Sequence, residues 1–357
     1  APLAKEISAS LDQGSSKRVI SRQMAEYVDK QVAELAKKPM QTDTSELEKF
    51  DLIYEDVRAQ WLKLLSSKST ARRATDSISY CFNYWLQRGY FEDGLELSII
   101  TLSAPGSAQS DGYLKVVNLG AWCCIRSARF ERAKLLVREG ARMAMERGTA
   151  REQIVFLNTA AALAFEWERY RTSAKCFERA IRLIETFPDG RHFRSMYSSY
   201  SSALSELGRY AEAEAMLGKY AELSGQTNHW EDLSLLVNVG HLSCCKGDWQ
   251  QCWQALEAGC DLYWRTPDPM KLFSLYGTAS MAATGQGYPE IGKSMLAAQK
   301  EIASHYGLVL TPRQRHAQER KEWILQDVCE EPGYEWDGFS PVNLLQLVKS
   351  KICHKVL

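Results

Sequence analysis

One spacing constrains this chain more than any other: an aromatic residue followed three positions later by a small one, recurring every 39 or 40 residues. Six stretches carry it: RGYFEDGLELSIIT, SARFERAKLLVREG, WERYRTSAKCFERA, LGRYAEAEAMLGKY, KGDWQQCWQALEAG and GQGYPEIGKSMLAA. The aromatics are Phe91, Phe130, Tyr170, Tyr210, Trp249 and Tyr288, separated by 39, 40, 40, 39 and 39 residues. Three positions on stand Gly94, Ala133, Ser173, Ala213, Cys252 and Ile291, five of the six being small. Seven positions on stand Ser98, Val137, Phe177, Leu217, Leu256 and Met295, and ten positions on Thr101, Gly140, Ala180, Tyr220, Gly259 and Ala298. Offsets of three, seven and ten share one face of an α-helix. Each stretch therefore predicts the start of a helix whose inner face carries an aromatic anchor, a small residue that admits a neighbouring backbone, and a further inward-facing position.

A second helical stretch with its own small residues precedes five of the aromatics: NLGAWCCI, NTAAALAFEW, SYSSALSEL, NVGHLSCC and LYGTASMAA. Turn-like segments separate the units, namely SAPGSAQSDG, PDGRH, SGQTN and RTPDP. The unit is a first helix, a tight elbow, a second helix and a longer turn. Neither helix of such a pair buries its apolar face alone, so the units have to stack.

The stretch NVGHLSCCKGDWQQCWQALEAG resembles the tetratricopeptide (TPR) repeat family in its Asn-x-Gly, its Gly-x-aromatic turn and the small residue three beyond. The resemblance covers roughly residues 76–303. The ordinary repeat of that family has about 34 residues, whereas this one has 39 or 40, the extra length falling in the helices and inter-repeat turns. Longer units of this kind look like those in the C-terminal sensor arms of bacterial STAND-type ATPase regulators and in subunits of large eukaryotic assemblies. The resemblance implies an all-α fold, a right-handed superhelical solenoid of about six TPR-like helix pairs, with helical caps over 1–75 and 304–357. In such a solenoid the open apolar face of a terminal repeat needs covering. Residues 17–38 form an amphipathic pattern with Ile20, Met24, Tyr27, Val28 and Leu35 on one side, and Glu26, Asp29 and Glu34 argue against a targeting peptide. Thr44 or Ser45 is placed to cap a helix over ELEKFDLIYEDVRAQWLKLL. Three segments make the C-terminal cap: the charged helix TPRQRHAQERKEWILQDV opened by Pro312, the aromatic turn EEPGYEWDGFSP, and the amphipathic VNLLQLVKSKICHKVL.

The bulk properties narrow the function. Lys+Arg and Asp+Glu both number 44, which argues against nucleic-acid binding as the main task. No apolar run approaches the roughly 18 residues of a membrane span. The ten Cys include no CxxC pair, and Cys123-Cys124 and Cys244-Cys245 are adjacent. Free thiols in a reducing intracellular compartment, the cytoplasm first, are expected from this. The chain begins Ala-Pro without Met, the start expected of a processed or trimmed chain.

No nucleotide-binding glycine loop, GxSxG elbow or HExxH pair is present. Cys244, Cys245, Cys252 and Cys260 cluster with His241 in one repeat, but Cys252 fills the small slot and free Cys packs as a small hydrophobe. No catalytic residue, cofactor or metal is therefore expected. The Trp residues within the repeats, Trp122, Trp167, Trp249, Trp253 and Trp264, read as core, and Trp323 and Trp336 fall in the cap.

In TPR proteins the first helix of each pair lines a groove, and an Asn there bonds the backbone of a partner peptide. That implies Asn118, Asn158 and Asn238 as groove candidates, with Ser198 and Ser199 at the matching place of the fourth repeat. The alternative role for such an Asn is to bond a neighbouring helix. Arg126, Glu166 and His241 complete the candidate set. The Lys/Asn clamp of chaperone-binding members is not recognisable, because Glu166 stands where a cation is needed, so an acidic C-terminal peptide is not the favoured ligand. The leading expectation is a scaffold for a protein or peptide partner, as part of a larger complex. The alternatives are a ligand-sensing arm, with any ATPase outside this sequence, and an enzyme with an unrecognised site.

Overall fold

The computed structural model describes residues 26, 27, 30, 44–186, 193–223, 229–263 and 268–327. Apart from residues 26, 27 and 30, the amphipathic segment 17–38 lies outside the described residues, as do PDGRH, SGQTN, most of RTPDP, EEPGYEWDGFSP and the C-terminal VNLLQLVKSKICHKVL. Among the described residues the fold is all-α, with no strand and with a short 3-10 turn at Ser107–Gln109.

The chain divides into two compact units, 1–152 and 153–357. The first holds α1 (Thr44–Asp51), α2 (Tyr54–Leu65), α3 (Lys68–Tyr80), α4 (Phe82–Arg88), α5 (Phe91–Ser103), α6 (Tyr113–Arg126) and α7 (Phe130–Arg147). The second is built from α8 (Ala150–Glu166), α9 (Tyr170–Thr186), α10 (Ser195–Glu206), α11 (Tyr210–Leu223), α12 (His229–Lys246), α13 (Trp249–Tyr263), α14 (Pro269–Gly285), α15 (Pro289–His305) and α16 (Pro312–Leu325). Consecutive helices pack as pairs, α6 on α7, α10 on α11, α12 on α13 and α14 on α15, and each of the later pairs packs on the next.

The elbows show why the aromatic spacing exists. A residue with positive φ ends the first helix of each pair: Gly89, Ala128, Glu168, Gly208, Gly247 and Gly287, at intervals of 39, 40, 40, 39 and 40. The next residue donates its backbone N–H to the carbonyl five positions back, as in Tyr90 to Trp85 at 3.0 Å, Arg209 to Leu204 at 2.9 Å and Asp248 to Ser243 at 2.9 Å. That bond closes a left-handed helix C-terminus. The same residue caps the second helix by accepting from the N–H four positions on: Gly94, Ala133, Ser173, Ala213, Cys252 and Gly292. Two residues thus reverse the chain, and the helix start is locked to the helix end.

The backbone register corrects the sixth match. Pro289 rather than Tyr288 is the first residue of α15, and Gly292 rather than Ile291 sits in the small slot. Proline's fixed φ suits the first helical position, which displaces the aromatic onto the cap. All six slots are then small. In the third and sixth repeats the slot meets the residue seven before the elbow. Ser173 Oγ donates to the Ala161 carbonyl at 2.8 Å, and Ser280 Oγ to the Gly292 carbonyl at 2.7 Å.

Ala128 and Glu168 hold φ of 55° and 56°, where glycine is favoured. Ala128→Gly relieves this strain, partly offset by the greater freedom glycine gives the unfolded chain. It should raise unfolding stability by roughly 0.5–1 kcal/mol. Urea titration checks this, and a decrease would mean that the Ala128 methyl is held by packing.

In the first unit an aromatic cluster joins the N-terminal helices to the first repeat. Phe50, Tyr54, Trp61, Tyr84 and Trp85 are all buried, and their rings meet at centroid distances of 4.7 to 6.3 Å. Trp85 Nε1 donates to Tyr54 Oη at 2.8 Å, and Tyr84 Oη donates to Asp51 Oδ1 at 2.8 Å. The single helix expected over 46–65 is instead two, broken at Leu52 and Ile53. Phe50 and Tyr54, one on either side of the break, both pack on Tyr84. In the second unit Leu256, Leu272, Leu275, Tyr276, Met295 and Ile302 form the core of the last repeats, with Cys244, Cys252 and Cys260 packed among them.

Candidate functional site

The residue two before each elbow glycine, or its equivalent, closes the first helix on one side of the pair. Along the repeats these are Gln87, Arg126, Glu166, Glu206, Cys245 and Gly285. Within the second unit, stacking of the pairs brings the equivalent positions Glu166, Glu206, Cys245 and Gly285 into a row. In the second unit the row presents two carboxylates, Glu166 and Glu206.

What sits against this row is α16. Its N-cap Thr311 makes a reciprocal capping pair with Gln314, and Pro312 opens the helix. Thr311 Oγ1 also donates to Glu166 Oε2 at 2.6 Å, 145 residues back in the chain. Arg313 donates to both Glu166 oxygens, at 3.2 and 3.3 Å, and its guanidinium lies 4.7 Å from the centre of the Phe165 ring. Glu166 and Arg313 are only 17% and 21% exposed, so the pair is shielded from water far better than a surface pair. His316 Nδ1 lies 2.7 Å from Glu168 Oε2, the residue of the strained elbow. At the other end of α16, Lys321 Nζ donates to Gln299 Oε1 at 2.6 Å, and Gln299 Nε2 donates to the Phe273 carbonyl at 2.9 Å. Lys321 is buried with a neutral partner, and that burial, with Arg313 adding, pushes its pKa down to about 8.

Between these ends lies His241. Its Nε2 is 3.3 Å from Glu206 Oε1 and 3.7 Å from Cys245 Sγ. Burial works to lower the His241 pKa, but the bonds to Cys245 and Glu206 outweigh it and raise the value. Burial likewise works to raise Glu206, and the His241 bond outweighs it, holding the carboxyl below its ordinary range. The two lie at ion-pair distance, and each favours the charged form of the other. Both contacts fall on the same imidazole nitrogen, so the Cys–His–Glu arrangement does not reproduce a relay in which base and orienting group use opposite ring nitrogens.

The sequence candidates separate accordingly. Glu166 is engaged by α16. Asn238 Nδ2 donates to Ser198 Oγ at 2.8 Å and to the Ser198 carbonyl at 3.2 Å, joining the first helices of the fourth and fifth repeats. Asn158 is half-buried on α8. Asn118 is buried on α6, and Arg126 lies over the Phe91 ring at 5.8 Å; both belong to the first unit. Thr311, Arg313, Lys321 and Gln299 were not singled out by sequence. The signal available for α16 was its lack of an apolar stripe, which says that the helix does not dock through a core.

Paired helices, a left-handed elbow and a small slot at constant period decide the architecture. It is a TPR-like helical repeat. No protein-family model matches the chain, and no curated protein does either. Among solved structures, the TPR-like chain is similar to BtubC (BKLC) from P. vanneervenii, with TM-score 0.43 and 13% identity over 71% of this chain and 97% of that one. It is also similar to the APC/C hetero-tetramer Cut9-Hcn1, with TM-score 0.37 and 13% identity over 82% of this chain and 63% of that one. Among the described residues no helix is long and apolar enough to cross a membrane.

Proposed function

We propose that this chain is a non-catalytic scaffold that holds a segment of a partner protein against the first helices of its repeats, as one component of a larger assembly. The observation that supports this reading is the seat of α16. The row of first-helix ends engages a helical segment through a shielded carboxylate, an aromatic face and a neighbouring carboxylate, which is the chemistry of a peptide-binding surface. Asn158 and Glu166 are the groove contacts for the partner. Ser198, Asn238 and the His241–Glu206 pair hold adjacent first helices in place beneath it. Arg126, over the Phe91 ring, is the groove candidate of the first unit, where Asn118 is buried on α6.

A photo-crosslinking side chain at Ser202 tests this in cells. Ser202 occupies in the fourth repeat the place of His241 in the fifth, six before the elbow glycine. A control carries the same group at Glu222, exposed on the second helix α11. The partner should be captured from Ser202 and not from Glu222. Asn158→Ala should then weaken its binding about 2- to 12-fold, the worth of one hydrogen bond, with unchanged melting. Capture from both positions alike, or from Glu222 alone, moves the contact off the first helices.

A further inference from the structure

Resting on the scaffold reading, we propose that α16 is a displaceable internal ligand of the second unit, standing in for a basic helical segment of the partner that carries a Ser or Thr N-cap and an arginine two residues later. The seat is almost entirely polar. Among its 14 residues α16 buries only Gln314, Lys321 and Leu325, whereas α14 buries eleven of 17. Its large apolar side chains Trp323 and Ile324 are 72% and 56% exposed. A helix kept in place by core packing would bury them.

The charges are complementary across the contact. Arg313, His316 and Arg320 on α16 stand toward Glu166, Glu168 and Glu206 of the second unit, with two direct contacts and a field on Glu206 from both arginines. The 14-residue helix is about 21 Å long at 1.5 Å per residue. That length carries it from Glu166 in the third repeat to Gln299 in the sixth. Its far end is set against removal of a cation from water. Lys321 is buried on a neutral amide, over Gly277, where a Cβ would lie 2.9 Å from Nζ. Such a seat is closed by geometry and specific bonds but carries an internal cost, which puts it at the easily opened end of the structure.

Only a short linker, 306–311, joins α15 to α16, so the internal segment has a high effective concentration and excludes a free competitor. An apparent affinity measured in trans is lowered by the fraction of molecules whose row is open.

The test uses the full chain and a fluorescein-labelled peptide of residues 309–327 as the probe, read by anisotropy. Arg313→Glu sets a carboxylate against Glu166 and unseats the internal helix. That variant should bind the wild-type peptide at least about tenfold more tightly than the wild-type chain does. Adding Glu166→Lys should remove the gain, and a peptide with its own Arg313→Glu change should not bind. If Arg313→Glu melts far below wild type, Thr311→Val is read in the same assay, because it removes the cap and the Glu166 bond without adding charge. Equal peptide binding by wild type and the unseated chain overturns the proposal, as does full binding after Glu166→Lys. The scaffold reading fails separately, if Ser202 captures no partner while the peptide still distinguishes the variants.

Discussion

Trp85→Ala is expected to lower the unfolding free energy by about 3–5 kcal/mol, the range for emptying a buried aromatic site. Trp85 is 0% exposed and touches the rings of Tyr54, Trp61 and Tyr84. Tyr54 and Trp61 come from α2 and Tyr84 from Trp85's own helix α4, so none of them can collapse into the space without moving its helix. The substitution also takes the indole N–H donor from Tyr54 Oη, which is buried beside it. Urea unfolding followed by fluorescence and by circular dichroism measures the loss. Hydrogen exchange should accelerate through α1, α2 and α5 as well as α4, because the N-terminal helices meet the first repeat through this cluster. A cost under about 1 kcal/mol would show that the cluster is not the joint between them.

Gly292→Leu should cost about 2–6 kcal/mol, and it tests the elbow register directly. A Cβ at Gly292 would lie 2.2 Å from Thr284 Oγ1 and 3.0 Å from the Ser280 carbonyl. A longer side chain therefore has to drive α14 and α15 apart, an overpacking cost of about 1–3 kcal/mol. Separation also breaks the buried Ser280 bond to the Gly292 carbonyl, and a buried polar group left unpaired adds about 1–3 kcal/mol. Repeat stability is shared through neighbour interfaces, so exchange should rise in α12 and α13 too. Gly218→Ala is the counterpart. Gly218 lies within α11 with nothing near its missing Cβ, so alanine there should gain up to about 1 kcal/mol from helix propensity. If Gly292→Leu is neutral, the small slot of the sixth repeat lies elsewhere.

The all-α fold and its period were legible in the sequence because both rest on local physics. A helix face is written in offsets of three, four and seven, and a left-handed elbow is marked by glycine at four of six places even before its geometry is known. The aromatic and the small residue three beyond it belong to one helix turn, so no distant contact is needed to recognise them. Even the elbows at Ala128 and Glu168, which lack glycine, were found through the residues that follow.

The remaining decisions are non-local. Pro289 takes the first helical position and shifts the sixth repeat by one residue, a choice between two adjacent starts that the aromatic spacing could not make. The break at Leu52 and Ile53 has no Gly or Pro to mark it in the sequence. Asn238 reads in the sequence as a groove donor, and in the structure its amide bonds Ser198 of the preceding repeat. Glu166 meets Thr311 and Arg313 across 145 and 147 residues. That contact carries no periodic signal, since its strength lies in two side chains brought together only after four repeats have stacked. Sequence determined the unit and its count; tertiary structure decided which polar groups the stacked units spend on one another, because those pairings form only once distant helices have packed.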